Sequence, residues 1–482
     1  MDSNSTNVPL LKKLLHNGRQ RIILDYDEVT PENVIEIMQK AQSIHSQNRQ
    51  DCDYLINYFL GDQDILYRPP AETSNINNTT VVNYAYPITR QIVGYTFAGG
   101  VELVQNDMSK KDAVNKLADY YSYENAYYVD ICTGLYDSIC GVAYQITLPS
   151  SMITKDNTPD VPFIYEALDP RNTFVVFSSE IGNPQIMSCT ISTMKNRQKL
   201  YTIYTDKYKF TIIGMDANTL KIEENPIGMD PITMVENSLF LTGDWEQAIA
   251  VMNAQNQIAS DSLNEIEGTI KSLLVILGAE FDETDSEQSD LKKVKNNRIL
   301  TLTAPGGGNV DAKFIAPKLE SVSVQNIREY LDDARNVITG IPDRSANSSG
   351  GDTGTAVLNR DGWTDIEIVA RLKELFFKKA KKKQIEIVIK ILQMLDLLPN
   401  DLKAIDIDLA IGRHTTDNLS TKTTAFSTLV ATGELATIDA LELSGLTNKT
   451  REMVERGEQA KKKRKEEEKQ NNNNNDNEQP NE

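Results

Sequence analysis

Two stretches of the chain carry apolar residues at alternating spacings of four and three. The first runs Trp245, Ile249, Met252, Asn256, Ala259, Leu263, Ile266 and Ile270, a near-heptad stripe with one polar member. Asp244 and Gln247 have the form of a capping box at its start, and the helix they predict is roughly 40 Å long. The second stripe is Val324, Ile327, Leu331, Ala334 and Ile338, stopped by Gly340 with Pro342 just beyond. Between them lie SLLVILGA, an acidic turn, NNRILTLT, the flexible APGGGN and DAKFIAP. This reads as a small strand-containing insertion held at the far ends of two helices.

Other patterns fill in the rest. A helix is predicted after Thr30-Pro31-Glu32, and a second, shorter one runs to about Phe59 and stops near Gly61. Residues 72–80 are a polar loop, and VVNYAYPITRQIVGYTFAGG reads as a strand or turn entering a helix that ends at Gly99-Gly100. Tyr127, Ile131, Leu135, Ile139 and Val142 predict a helix over 124–144. From about 144 to 235, short β-rich runs separated by Pro, Gly, Asn and Asp predict a mostly antiparallel sheet. The polar loop IPDRSANSSGGDTG then leads into a long helix over about Thr355–Leu398, striped by Ile368, Leu372, Leu375 and Phe376 and continued by Val388, Ile391, Leu392 and Leu395. AIDIDLAI alternates strictly and predicts a strand. Residues 416–468 read as helical, capped at Ser420 and Thr447, and the charged, Asn-rich end reads as disordered beyond about 470. The whole is a multi-domain α+β chain.

Composition narrows the function. The 482 residues carry a formal net charge of -19, which argues against a protein that coats nucleic acid. It is compatible with an acidic wall past which DNA slides without sticking. The cysteines (Cys52, Cys132, Cys140, Cys189) form no CxxC pair and the histidines (His16, His45, His414) are scattered, so reduced thiols and no metal site are expected. No signal peptide or membrane span is read in the chain, which predicts a soluble protein made in a cytoplasm. No P-loop, HExxH or G-x-S-x-G occurs, so no catalytic residue and no cofactor is assigned. One loop invites direct contact with phosphate groups: Arg344, Asn347, Ser348, Ser349, Gly350 and Gly351, ahead of a helix N-terminus. Read from local sequence alone, the loop is better taken as a mobile connector and N-cap. The lysines from Lys378 to Lys383 read as a solvated helix face opposed by acids on a neighbour, and the basic run from Lys461 to Lys465 as the end of a helix.

Several segments, taken in order across residues 50–465, resemble the portal family of long-tailed phages of Gram-positive hosts. They are YLINYFLGDQDILYR, VVNYAYPITRQIVGYTFAGG, the stretch from ENPIGMDPITMVENSLFLTGDWEQ to SLNEIE, and TGIPDRSANSSGGDTGTAVLNR. Where relatives often have an aliphatic-lysine pair after the Ser-Gly motif, this chain has Val357-Leu358-Asn359-Arg360, so Arg360 is the candidate for that charge. The resemblance implies a portal fold and a ring of about twelve subunits at one capsid vertex of the virion, enclosing a channel for double-stranded DNA. It places a wing in 1–80 and 81–243 and stem helices at 244–270 and 322–340, flanking a clip at 271–321. A tunnel loop follows at 341–354, then a long wing helix and strand at 355–414, a crown at 415–468 and a tail at 469–482. Stem packing would fall to Trp245, Ile249, Met252, Ala259, Leu263, Ile266, Val324, Ile327 and Leu331. Implied partners are the terminase large subunit, the major capsid protein and scaffold, and a head-tail adaptor. The same stripes would also serve a coiled-coil-based structural assembly without DNA, and a ring seen in projection separates the two.

Overall fold

A computed structural model describes residues 16–70, 76–150, 161–270, 273–277, 311–315, 321–342, 363–412, 419–433, 435–444 and a few positions beyond. The chain divides into two compact units. One contains residues 57–86 and 247–339, and the other contains 14–56, 87–246 and 340–482.

The larger unit is built on two sheets. β1 (Ile22–Leu24) runs parallel to β5 (Thr173–Ser178), which continues antiparallel through β6 (Gln185–Thr193), β7 (Lys199–Tyr204), β8 (Tyr208–Ile213) and β9 (Lys221–Glu224). Alternation places Phe174, Val176, Met187, Cys189, Ile203, Phe210 and Ile212 on one face. Helix α1 (Val34–Phe59) covers that face with Val34, Ile37, Met38 and Ala41. The two N-terminal helices expected from sequence are this single helix, entered through the Asn33 side-chain oxygen, which accepts from Thr30 N at 2.7 Å. The second sheet orders β10 (Ile232–Glu236), β3 (Val142–Pro149) and β4 (Phe163–Leu168).

Around that sheet pack α2 (Ala85–Phe97), α3 (Lys111–Tyr123), α4 (Ala126–Cys140) and the long α7 (Trp363–Met394). Sequence periodicity missed α3 and ran α4 too far. Of the stripe read there, Ile139 is buried and Ile131 and Leu135 pack against the core, but Tyr127 is exposed, Val142 already belongs to a strand, and Val129, Asp130, Thr133, Gly134 and Asp137 are buried as well. The physical cause is Gly141, whose φ of +76° ends the helix one turn early. A side chain there would meet the Leu241 carbonyl oxygen at 2.1 Å. Gly134 is equally constrained, since a Cβ would approach the Phe97 ring at 2.7 Å.

A short pair, β2 (Val101–Gln105) and β13 (Ile407–Ile411), is antiparallel; β13 is the strand read in AIDIDLAI. In the smaller unit are α5 (Ile249–Ile270) and α6 (Ser321–Thr339), with β11 (Leu273–Leu277) paired antiparallel to β12 (Asp311–Ile315) between them in sequence. Two further helices, α8 (Leu419–Ala431) and α9 (Thr437–Ser444), fall in the stretch read as helical. The four cysteines are free thiols.

His45 shows how burial sets a charge state. Its ring is nearly enclosed, lies 4.6 Å from the Phe174 ring, and donates through Nε2 to the Arg171 carbonyl at 3.2 Å. Burial lowers its pKa to about 4. The unfolded chain therefore takes up a proton near pH 6.5 that the folded chain refuses until about 4, and stability contributed by neutral His45 is lost as pH falls through that window. Asp137 and Asp230, both raised to about 6 by burial, change in the opposite sense. The effect is thus expected in the comparison of wild type with His45→Gln. Urea midpoints should converge by the equivalent of roughly 3 kcal/mol between pH 7 and pH 4.

Candidate subunit-packing helices and buried ion clusters

The polar stripe of α5 holds a strap. Asn264 Oδ1 accepts from Asn78 N at 2.6 Å, Ser260 Oγ from Thr80 N at 2.9 Å, and Asn256 Oδ1 from Val82 N at 2.7 Å. Steps of two along the strap meet steps of four along the helix. Two extended residues advance ~6.7 Å and four helical ones ~6 Å, so the two register throughout. The Asn256 amide also donates to Gln63 Oε1 at 2.6 Å, and Asn253 Nδ2 donates to Asp64 Oδ2 at 2.7 Å. Arg68 and Asp261 close the ladder with an ion pair at 2.5 Å.

Asn256, read from sequence as the polar member of a heptad seam, is fully buried against this strap. On heptad logic Asn256→Leu would strengthen the helix seam. The observed bonds predict the reverse, a loss of about 2–3 kcal/mol, because the Val82 N–H and the Gln63 carbonyl oxygen are left unsatisfied. Urea unfolding of the smaller unit, followed by amide exchange at Val82, measures it.

α5 and α6 touch through polar groups, Gln255 Nε2 donating to Asp332 Oδ1 at 2.8 Å and Arg328 to Ser262 Oγ at 3.2 Å. Arg335 lies over the Tyr84 ring at 3.8 Å and pairs with Asp332 at 2.6 Å. The apolar residues read as stem packing divide accordingly. Trp245 and Met252 are fully buried in the subunit, with Trp245 Nε1 donating to Thr89 Oγ1 at 2.9 Å. Ile249, Ala259, Val324 and Leu331 are half-buried. Leu263, Ile266 and Ile327 are 43%, 57% and 50% exposed, and Val322, Tyr330 and Val337 are exposed beside them in sequence on α6. The start of α5 also differs from the expected capping box. Glu246, not Gln247, accepts from Gly243 N, and it also binds Gly18 N and Arg19. Asp244 is engaged elsewhere.

That engagement is the first of two buried ionic clusters on α7. Lys373 pairs with Asp137 at 2.9 Å and Asp244 at 3.2 Å and donates to Asn237. Burial penalises its charge, but two carboxylates outweigh that cost and its pKa stands above the ordinary lysine value. Lys381 is enclosed equally and faces one carboxylate: Asp130, at 2.8 and 3.0 Å, with Tyr165 Oη at 3.0 Å. Here burial wins and the pKa falls. Tyr165 in turn donates to Asp130 at 2.6 Å. The lysine run 378–383 is therefore split. Lys379 is solvated, whereas Lys381 is a core residue and Lys383 reaches Gln185 at 2.5 Å. A signal was present in the sequence: Ile366, Ala370, Lys373, Phe377, Lys381, Gln384, Val388 and Ile391 form their own stripe of threes and fours, and all are buried. Ile368, Leu372 and Leu375, the stripe first read, are exposed.

Arg344, Asn347, Ser348, Ser349, Gly350, Gly351 and Arg360 lie outside the described residues, as do most of 271–320 and the cations Arg464 and Lys465. Gly340, with φ of +65°, ends α6 as expected. Among the described residues no group of His, Cys, Asp or Glu is placed to hold a metal ion, and no helix is long and apolar enough to cross a membrane.

Comparison with known proteins gives the family. No curated protein matches the chain. Among solved structures, the neck of a native GTA particle computed with C12 symmetry aligns over 78% of this chain and 98% of that one, at 11% identity and a TM-score of 0.44. The family model described as phage portal protein, SPP1 Gp6-like, matches residues 39–473. Spanning most of the sequence, that match places an α+β chain with paired long helices and a β-rich body among known proteins: it belongs to the SPP1 Gp6-like family of phage portal proteins.

Proposed function

We propose that copies of this chain close into a ring, of about twelve subunits, whose channel passes double-stranded DNA during packaging and ejection. The observation that carries the reading is the apolar edge of α5 and α6, which a single subunit leaves open at Leu263, Ile266, Ile327 and Tyr330. Exposed apolar surface on two helices that touch is covered by association, and neighbouring copies supply the same surface in a ring. Charge supports passage without sticking. α5 has three acidic residues and no basic one, and α6 three acidic and two basic. A negative wall repels phosphates and keeps the duplex mobile.

In this reading α5 and α6 are the stem, 271–321 is the clip that docks the terminase large subunit and later the head-tail adaptor, and 341–354 is the tunnel loop. The body meets the major capsid protein and scaffold, and 415–468 form the crown. Sequence similarity to a structural family supports a non-catalytic role, with ATP hydrolysis residing in the terminase. Purified protein is expected to sediment as a large closed species at micromolar concentration, to show a central hole in negative stain, and to have no ATPase activity. A monomer at that concentration, or a rod without a hole, overturns the reading.

A further inference from the structure

The six-stranded sheet of the larger unit carries opposite charge at its two ends. Register places the β6–β7 turn, the end of β8 and the start of β9 at one end. The β5–β6 turn, the β7–β8 turn, the end of β9 and, through its parallel pairing with β5, the end of β1 lie at the other. The span of β6 sets the two ends roughly 27 Å apart. Lys195, Arg197, Lys199 and Lys221 stand at the first end, none of them in an ion pair among the described residues. Arg171 nearby is already neutralised by Asp169 at 2.6 Å, and Asp216 accepts from Asn218 N at 3.0 Å.

The basic turn is built, not frayed. Met194 N donates to Gln198 O at 2.9 Å, and the Asn196 side chain accepts from Gln198 N at 3.1 Å and donates to Gln198 Oε1 at 2.7 Å. Arg197 has a φ of +67°, where glycine or asparagine is the usual residue, so a cation holds a position that backbone preference does not give it. At the opposite end Asp25, Asp27, Glu180, Asp206 and Glu224 are exposed and form no ion pair among the described residues. Ser179 Oγ donates to Asp25 at 2.9 Å, and the lysines there, Lys207 and Lys209, are matched to Glu28 and Glu223 at 2.5 and 2.7 Å. Each end also bears an exposed apolar side chain, Met194 next to Lys195 and Ile181 next to Glu180 in sequence.

We propose that these two ends meet head to tail between successive copies of this chain, the basic β6–β7 turn of one against the acidic end of the next. The inference rests on the ring reading and adds to it a second, electrostatic contact in the larger unit. A ring subunit shows different surfaces to its two neighbours, and a sheet with opposite poles supplies such a pair. Charge complementarity selects a second copy over DNA, because a duplex satisfies the basic end alone whereas a neighbouring copy satisfies both. Single exposed pairs contribute little, but several at one contact add up and steer the encounter.

The test uses the full-length protein and two charge reversals, Lys195→Glu with Arg197→Glu and Glu180→Lys with Asp206→Lys. All four positions are exposed, so urea midpoints should match wild type. At ~0.1 M salt, either reversal should raise the protein concentration needed for half-assembly in sedimentation about tenfold. Mixing the two variants in equal amounts, or combining both reversals in one chain, should restore assembly, because each basic end again meets an acidic one. Raising salt to ~1 M should weaken wild-type assembly likewise. Assembly of either variant at the wild-type concentration, or no recovery in both the mixture and the combined chain, overturns the proposal. So does retardation of a short DNA duplex that the Lys195→Glu, Arg197→Glu variant loses while its rings persist, which assigns the turn to nucleic acid. A wild-type chain that stays monomeric sinks the ring reading as well, whereas rings that ignore the reversals sink this inference alone.

Discussion

Replacing Lys381 with methionine is expected to destabilise the larger unit by roughly 3–5 kcal/mol. The substitution keeps the volume and apolar stem but leaves Asp130 buried, facing Tyr165 and Gln145 without its cation. The cost is that of an uncompensated charge, not of a lost surface bridge. Adding Asp130→Asn to Lys381→Met should therefore recover most of it, since the amide still accepts from Tyr165. Asp130→Asn alone gives a second, independent signature. It removes the carboxylate that opposes the burial penalty on Lys381, whose pKa is already lowered. The unfolded chain then binds the lysine proton more tightly than the folded one. Stability should rise with pH from the folded pKa up to the ordinary lysine value of 10.5. Urea midpoints for the single and double variants between pH 7 and pH 10 measure both effects. A Lys381→Met midpoint indistinguishable from wild type would show that the pair contributes nothing.

The second large effect is on assembly and spares the fold. Ile266→Asp combined with Ile327→Asp changes two half-exposed side chains, so each isolated subunit should lose at most about 0.5 kcal/mol per site. In the proposed ring the same positions would face a neighbour, and each buried charge without a partner would cost several kcal/mol at every interface. Sedimentation is expected to shift from a closed ring to monomer, with unchanged circular dichroism. Substitution of Trp245, which is enclosed within the subunit, should do the opposite, lowering stability before it affects assembly. Rings that persist in the double aspartate variant would move the interface elsewhere.

These expectations separate two kinds of information in the chain. Local pattern decided where regular structure forms. The four-three spacing of α5 and α6, the Gly340 stop, the alternation of β13 and the β-rich stretch from about 144 to 235 all follow from nearest-neighbour chemistry, because helix and strand periods are properties of the backbone. The order of several segments also sufficed to place the chain in its family. Pattern could not decide which of two competing stripes on α7 faces the core. Ile368, Leu372 and Leu375 look more apolar than Lys373, Phe377 and Lys381, yet the latter are buried, because Asp137, Asp244 and Asp130 arrive from sequence positions more than a hundred residues away. Nor could it assign Asn256 to a strap instead of a seam, since the strap's donors lie at Thr80 and Val82 and its register exists only once the chain has folded back on α5. Tertiary structure decides such cases because a buried charge or amide is tolerated only where its partners meet it in space, and sequence distance carries no information about that meeting.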